Sequence, residues 1–516
     1  MKITNILKVS AFTFFSRILG LIRDILLSRY LGVSIASDAF FVAFKIPNLF
    51  RKFFAEGSMQ SAFIPLFSKI LNENEEEAKA FSSQVFTLFF IILFIFVVFL
   101  EVYTPQAILV LSPGFAKKGE VAFNLAVSLL RVNIPYLFFI SLVAFYSSIL
   151  NSIGKFSITA FVPALLNIAM IFGIYALHKY VNPAFAVSYG VILGGILQLL
   201  LVFIACYLNN WLILFKITNL FPLHKSTLKF FRRLIPVVAG GGVYQLNIMI
   251  DILVASLLPM GAISYLFYAD RLYQLPLAII GIAIGSVVLP FISSNNLNHV
   301  DIINSTKLKA ILLGLGFSLP AMAGLIVFAY EIIQIIFLGG HFTFNDVHVV
   351  AYVLTIYAIS LPINIVIKII LPFFYAEGNI KTPLYSTLVC LLINAVLVFP
   401  LSQLFGVYGI AMATVLSSYV NFIILFIMLQ KKHPVSFNKN FALDLIKLLL
   451  ATVLFTGILL LLKFEFLQNL HVSLLSFRFI MVFMIIFTII LFLIILRLLR
   501  SSVYYELFNI IGKTKE

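Results

Sequence analysis

Stretches of about 20 mostly apolar residues, the length a helix needs to cross the hydrocarbon core of a bilayer, recur along this chain from end to end. Only 10% of its residues are charged and 62% are hydrophobic, whereas a soluble domain carries roughly a quarter charged residues. About fourteen spans satisfy the length criterion. They lie at roughly 7–32, 36–66, 82–111, 122–150, 157–178 and 184–208, then 234–258, 262–292, 309–338, 346–375, 383–404 and 407–430, and finally 441–463 and 478–500. The reading is an all-α polytopic membrane protein with no room for a soluble domain between spans.

The formal charge of +16 would raise the question of nucleic acid in a soluble chain. Here its distribution reports topology, because Lys and Arg collect on the cytoplasmic side. With an even number of spans and both termini in the cytoplasm, that side receives Lys2, Lys8, Lys155, Lys216, Arg232, Arg233, Lys431, Lys432, Arg497 and Arg500 among others. The opposite side receives Lys117, Lys118, Lys179, Lys463 and Arg478. The acidic segment Asn72–Lys79 reads as a dissenting cytoplasmic loop, but acidic residues count little in this rule. Cys206 and Cys390 lie far apart in apolar surroundings and carry no redox signal. Arg17 and Arg23 interrupt the first apolar run, which argues against a cleavable signal peptide.

A repeat organises the spans. AFIPLFS at 62–68 answers to VVLPFIS at 287–293, Asp24-Ile25-Leu26 to Asp251-Ile252-Leu253, and Ile134-Pro135 to Leu361-Pro362. Gly154-Lys155 matches the surroundings of Lys381, and Asn167 matches Asn394. The offset stays at about 226 residues throughout. Six spans per copy give the copies one orientation, the parallel-repeat arrangement of some transporters. The predicted division is a first lobe at 1–215, a second at 216–432, and two additional helices with a tail at 433–516.

The first two spans hold Arg17, Arg23, Asp24 and Arg29, then Asp38, Lys45, Arg51, Lys52 and Glu56. Each charge near the bilayer centre costs about 2.5–3.5 kcal/mol on insertion scales, so these residues need a watery cavity or a partner. At 100° per residue, Thr13, Ser16, Arg17, Gly20, Arg23, Asp24 and Ser28 fall within an arc of about 140°. Asp38, Lys45, Lys52 and Glu56 lie close to one line, with Arg51 off it. Internal pairing of Arg17 with Asp24 and of Lys45 with Asp38 would account for part of the cluster. Three acids against six bases leave positive charge over, and an anionic ligand would answer it. In the second copy, Asp270-Arg271 stands near the repeat position of Lys45, either as a local pair or as a cation facing the first lobe.

Other charged residues are ambiguous. Arg131 and Lys368 occupy spans, where snorkelling to an interface competes with function. Asp251 is either a hydrogen-bonded structural carboxylate or, if the fold brings Asn394 and Thr414 beside it, a ligand for a cation such as sodium. No metal-ligand spacing and no phosphate-binding GxxxxGK[ST] loop occurs. No cofactor is predicted, which leaves membrane potential, a monovalent cation or the substrate gradient as the source of energy.

The run SRILGLIRDILLSRYLGVSIASDAFFVAFKIPNLFRKFFAEGSMQSAFIPLFS at 16–68, with YADRLYQLP at 268–276, GKFSITAFVPALLNI at 154–168 and GNIKTP at 378–383, closely resembles the MurJ/MviN family. These are bacterial lipid II flippases of the multidrug/oligosaccharidyl-lipid/polysaccharide exporter superfamily, and the resemblance extends over the whole chain. It implies two six-helix lobes forming a V around a central cationic cavity, with the last two helices adding a groove for an undecaprenyl tail. It implies lipid II, an undecaprenyl-pyrophosphate-linked disaccharide-pentapeptide, as substrate, and the bacterial inner membrane as location. By motif position it points to Arg17, Arg23, Asp38, Arg51 and Arg271 as substrate-binding, with Asp24, Lys45, Asn48 and Glu56 nearby. The family usually reads Arg-Arg where this chain has Arg51-Lys52, and a Lys cannot fork onto a phosphate. The expected assembly is a monomer surrounded by membrane lipids, free of nucleic acid and able to join cell-wall assembly complexes. A drug exporter of the same superfamily would favour buried acids, and a polyprenyl-sugar enzyme would need acids or histidines at a membrane edge. A non-transporting scaffold would need no mid-membrane cations.

Overall fold

The computed structural model describes residues 3–54, 58–217, 222–294, 300–376, 378–432, 439–467 and 474–506. Helix dominates throughout. Among the described residues the sole strand-like feature is an isolated bridge between Gly339 and Phe342. The chain packs as two units, 1–264 with 339–343 and 265–338 with 344–516.

The first unit contains α1 (Ile3–Leu31), α2 (Ile35–Phe54), α3 (Ser58–Glu73), α4 (Glu75–Val102), α5 (Thr104–Leu111) and α6 (Gly114–Lys117). It continues with α7 (Glu120–Ser152), α8 (Phe156–Leu177), α9 (Pro183–Leu208) and α10 (Lys225–Leu257). One expected span is broken here, and another is described in two parts on either side of residues 55–57. The apolar run at 36–66 is divided between α2 and α3. The run at 82–111 is divided between α4 and α5, with Tyr103 at the junction and a proline in the first turn of α5. A hydropathy window sums over both halves and does not register the break. The acidic loop predicted at Asn72–Lys79 is instead a helix start. The Asn74 side chain accepts from the backbone N–H groups of Glu76 and Glu77 at 2.9 and 3.3 Å, and Glu75, Glu76 and Glu77 fill the first turn of α4. Carboxylates there complement the positive end of the helix dipole.

The core of this unit is built from large aromatic side chains and small ones. Phe63 is fully buried and packs against Phe67, Phe81, Phe145 and Phe230 at centroid distances of 5.2–6.1 Å. The segment after α9 folds back over this cluster, with Trp211 edge-on to Phe67 and the Tyr146 hydroxyl donating to the Ile213 carbonyl at 2.6 Å. Helices α8 and α9 meet backbone to backbone. A Cβ on Gly173 would lie 2.6 Å from the Ala186 carbonyl oxygen, and one on Gly190 would lie 2.8 Å from that of Ala169. In lipid, close approach of this kind supplies the packing energy that the hydrophobic effect supplies in water. Gly190→Leu is therefore expected to destabilise the purified protein by at least about 1–3 kcal/mol, read as thermal unfolding in detergent. Gly457→Ala, whose added methyl meets nothing within 4 Å, should leave the transition in place.

The second unit takes most of α11 (Ala262–Ser294), then α12 (Val300–Val327), α13 (Ala329–Phe337), α14 (Phe344–Ile359) and α15 (Leu361–Ala376). It ends with α16 (Lys381–Phe405), α17 (Val407–Lys432), α18 (Lys439–Leu462), a π-helical turn at Lys463–Leu467, and α19 (Leu474–Leu498). The expected span 346–375 is α14 and α15, bent by 42° around Ser360. Lys463 ties the end of α18 to its neighbours: its amine donates to the Val327 carbonyl at 2.7 Å and pairs with Glu331 at 2.9 Å.

By length and apolarity, eight described helices are able to cross a membrane, or nine with α14 and α15 taken together. The fourteen-span count is thus not reproduced by that criterion. The charges of α1 and α2 count against them on an apolarity scale. The packing division also differs from the division by repeat: α10, the first helix of the expected second lobe, packs on α2, α3 and α6 and falls in the first unit. Helices α18 and α19 fall within the second unit.

Candidate functional site

The polar stripe of α1 divides into an exposed part and a buried part. Arg17 is exposed. One and a half turns on, Arg23 and Asp24 are 6% and 3% exposed. The Arg23 guanidinium donates twice to Asp24 Oδ1, at 3.0 and 2.7 Å, and once to Asn167 Oδ1 on α8 at 2.8 Å. The amide of Asn167 turns back to donate to the Ser16 carbonyl at 3.0 Å, over a notch at Gly20 where a Cβ would meet it at 3.6 Å. The alternative in which Arg17 pairs with Asp24 is not the arrangement found: Arg23 is the arginine that holds Asp24. Helical periodicity fixes the direction of a side chain, and only the packing of α8 decides which part of the stripe is covered. Asn167 was visible in the sequence as an amide in an apolar helix, but nothing there aimed it at Arg23.

Asp38 sits in the first turn of α2 and is 1% exposed. Its carboxylate accepts from the backbone N–H of Gly261 at 2.7 Å, from the N–H of Ser264 at 2.9 Å and from the Ser264 hydroxyl at 2.6 Å. Ser37 and Ser264 also bond through their hydroxyls at 2.8 Å. The first N–H groups of a helix lack intrahelical partners, so Asp38 satisfies the start of α11 while lying in the first turn of α2. Two positive helix ends thus meet one carboxylate. The Lys118 amine, in the short link before α7, is buried with no hydrogen-bond partner among the described residues. Burial pushes its pKa down, and the nearby Asp38 carboxylate opposes that shift. Gly261 has no signal in the sequence, and Lys118 stands out there only as one of the few cations on the opposite side.

Further along α2, Lys45 is half-buried and lines a small cleft with Leu49, Leu111, Met249 and Ile252. Arg51 is half-buried and donates to the Asn48 side chain at 2.6 Å, one turn back on the same helix. The Lys52 side chain and Glu56 lie outside the described residues, so the choice between Arg51 and Lys52 rests on the motif. In the second unit, Arg271 is half-buried on α11 with its guanidinium 4.8 Å above the Phe267 ring. Its neighbour Asp270 accepts from Gln274 at 3.2 Å.

The three residues considered for a cation are distributed over both units. Asp251 is half-buried on α10 of the first. Asn394 is buried on α16 and Thr414 half-buried on α17, where its hydroxyl donates to the Ile410 carbonyl at 3.1 Å. Neither unit taken by itself holds all three. Among the described residues no group of three His, Cys, Asp or Glu side chains gathers for a metal.

Arginines and lysines set in the apolar helices of a polytopic membrane protein mark a functional site, and its class is that of a membrane transporter by family. The comparisons specify it. The family profile described as lipid II flippase MurJ matches residues 27–496, and the chain belongs to that family. It is 36% identical over 466 residues to a probable lipid II flippase MurJ of Rickettsia prowazekii, covering 89% of this chain and 90% of the relative. It is 32% identical over 461 residues to the Vibrio cholerae counterpart, covering 88% and 87%. Its fold matches a lipid II flippase MurJ in an inward closed conformation with a TM-score of 0.81 and 29% identity, over 97% of this chain and 99% of that one. An inward-facing multidrug resistance MATE transporter shares the fold at a TM-score of 0.66 and 16% identity, over 81% and 94%.

Proposed function

We propose that this chain moves lipid II from the cytoplasmic to the periplasmic leaflet of the bacterial inner membrane by alternating access, for cell-wall synthesis. It is a transporter by family, and no catalytic step is assigned to it. The observation that carries the reading is the presence of Arg17, Arg51 and Arg271 on α1, α2 and α11, exposed or half-buried. Arginine clamps phosphate oxygens through paired, charge-assisted hydrogen bonds, and a cavity of low dielectric strengthens each contact. The diphosphate of a polyprenyl-linked sugar matches that chemistry, while the lipid tail stays in the bilayer. Cytoplasmic termini follow from the Lys and Arg bias. We take the protein as a monomer able to join cell-wall assembly complexes, with the sequence lobes 1–215 and 216–432 as the rocking elements and 433–516 serving the tail. The energy comes from membrane potential or from a monovalent cation, for which Asp251 offers a hard oxygen donor in the first unit and Asn394 and Thr414 offer theirs in the second.

The test is depletion of a host flippase with complementation by this chain. Rescue is expected from the wild type, and failure to rescue despite normal insertion would overturn the lipid II reading. Arg17→Ala and Arg271→Ala should each lower translocation of lipid II, measured by its accessibility at the outer leaflet, at least tenfold with normal yield. Unchanged translocation in both would remove the arginines from the mechanism.

A further inference from the structure

The second unit carries a cleft that the transport reading leaves unused. Helices α12 and α18 pack on each other, and the chain returns to them after α19. It turns at Arg500, whose φ of 49° is left-handed, and continues as a helical turn at 502–506. Three contacts hold this return in place. Val503 fills a notch at Gly316 of α12, where an added Cβ would lie 2.6 Å from Val503 Cγ1. The Lys447 amine of α18 donates to the Arg500 carbonyl at 3.0 Å, and the Ser502 N–H donates to Asp444 Oδ1 at 3.2 Å. The three segments enclose a cleft of about 170 Å³, the volume of about six waters.

The lining is of two kinds. Leu313, Phe441 and Val503 are apolar, whereas Lys309, Asp444 and Glu506 are charged and sum to a single negative charge. Lys309 pairs with Glu506 at 2.7 Å, but its side chain is 60% exposed and can swing on its flexible stem. Asp444 spends one oxygen on Ser502, and Glu506 stands one helical turn beyond Ser502, about 6 Å along the axis. The cleft also lies at a membrane boundary. Lys309 is the third residue of the apolar stretch Lys307–Val327, and Asp444 the sixth of Lys439–Glu465, both able to cross a membrane. By the Lys and Arg bias this boundary is the cytoplasmic one. Beside Asp444, the apolar side chains of Leu443, Ile446 and Leu450 are exposed along α18, within an arc of about 60°.

We propose that the cleft binds the headgroup of an aminophospholipid of the phosphatidylethanolamine class from the cytoplasmic leaflet. The primary ammonium is held between Asp444 and Glu506, the phosphate by Lys309, and an acyl chain runs along Leu443, Ile446 and Leu450. A primary ammonium donates charge-assisted hydrogen bonds to both carboxylates, which a trimethylated one cannot do. The net negative lining opposes an anionic headgroup, because like charges repel more strongly in a poorly solvated cleft than in water. The bound headgroup bridges α12, α18 and the return after α19. None of these residues belongs to the arginine set read as gripping the cargo.

The test is native mass spectrometry of the full chain with phosphatidylethanolamine, phosphatidylcholine and phosphatidylglycerol of matched acyl chains. The wild type should bind the ethanolamine lipid about tenfold more tightly than the choline lipid. Asp444→Asn combined with Glu506→Gln should abolish that preference and raise phosphatidylglycerol binding, while the asparagine still accepts from the Ser502 N–H. Leu313→Phe, which fills the cleft and leaves every charge in place, should also abolish the preference. Equal binding of ethanolamine and choline lipids by the wild type overturns the proposal, as does a preference that survives these substitutions. Phosphoethanolamine without acyl chains should fail to displace the lipid at equal concentration. Displacement would assign the cleft to a soluble phosphoamine and overturn the lipid reading.

Discussion

Arg23→Ala is expected to yield a protein that inserts poorly and unfolds well below the wild type, before any question of transport arises. Removing the guanidinium strips Asp24 of two short contacts and Asn167 of one. Breaking one partner out of a buried ion pair costs about 3–5 kcal/mol, because the other charge remains in a poorly solvating place. Arg23→Lys should recover part of this, since an ammonium replaces the charge but cannot reach Asp24 and Asn167 in the same planar fork. Replacing both members, Arg23→Met with Asp24→Leu, should be milder than either single change, because no charge is then stranded. Thermal unfolding of the purified variants gives the comparison. If Arg23→Ala keeps the wild-type transition while losing lipid II binding, Arg23 belongs with the substrate contacts and its buried geometry is incidental. The contrast with Arg17 makes the result interpretable. Arg17 is exposed on the same stripe, so its removal should spare the fold.

The second large effect is at Asp38. Asp38→Ala leaves the N–H groups of Gly261 and Ser264 and the hydroxyl of Ser264 without their acceptor in a buried site. Hydrogen bonds to a charged group contribute about 1.5–3 kcal/mol each, and the losses share one site, so a total of about 3–5 kcal/mol is the reasonable scale. Asp38→Asn keeps one accepting oxygen and should fall between alanine and wild type. Hydrogen exchange of the backbone N–H groups at 261–264 reads the effect locally. Protection that survives Asp38→Ala would show that the start of α11 is held by other contacts.

These two residues also show how far the sequence carries. The apolar runs announced a helical membrane protein, and the charges of the first two spans announced that something there must be neutralised. The helical arc correctly placed Arg17, Arg23 and Asp24 on one stripe. It could not separate them, because exposure depends on Asn167 arriving from 144 positions away. Asp38 was legible as an unusual intramembrane acid, but its partners are backbone groups, and backbone groups have no signature in a sequence. Breaks at Tyr103 and Ser360 were invisible for a different reason. A bent or interrupted helix keeps the same apolar content as a straight one, so hydropathy runs on across it. Lys368 was noticed and left ambiguous, since depth along a helix says nothing about the direction in which a long side chain reaches.

The bridge at Gly339 and Phe342 has its own consequence. The five residues 339–343 pack with the first unit although the chain on either side belongs to the second. His341 donates its N–H to the Arg29 carbonyl at 2.9 Å. A Cβ on Gly32 would lie 2.3 Å from the His341 carbonyl oxygen, and one on Gly340 would lie 2.2 Å from that of Arg29. Both glycines have positive φ, so side chains are excluded there by sterics and by backbone conformation alike. The polypeptide thus passes between the units three times, once forward near 264 and then out and back around this hairpin. Any rearrangement that draws the hairpin away from α1 has to move all five residues as one stitch, with both of its threads anchored in the second unit.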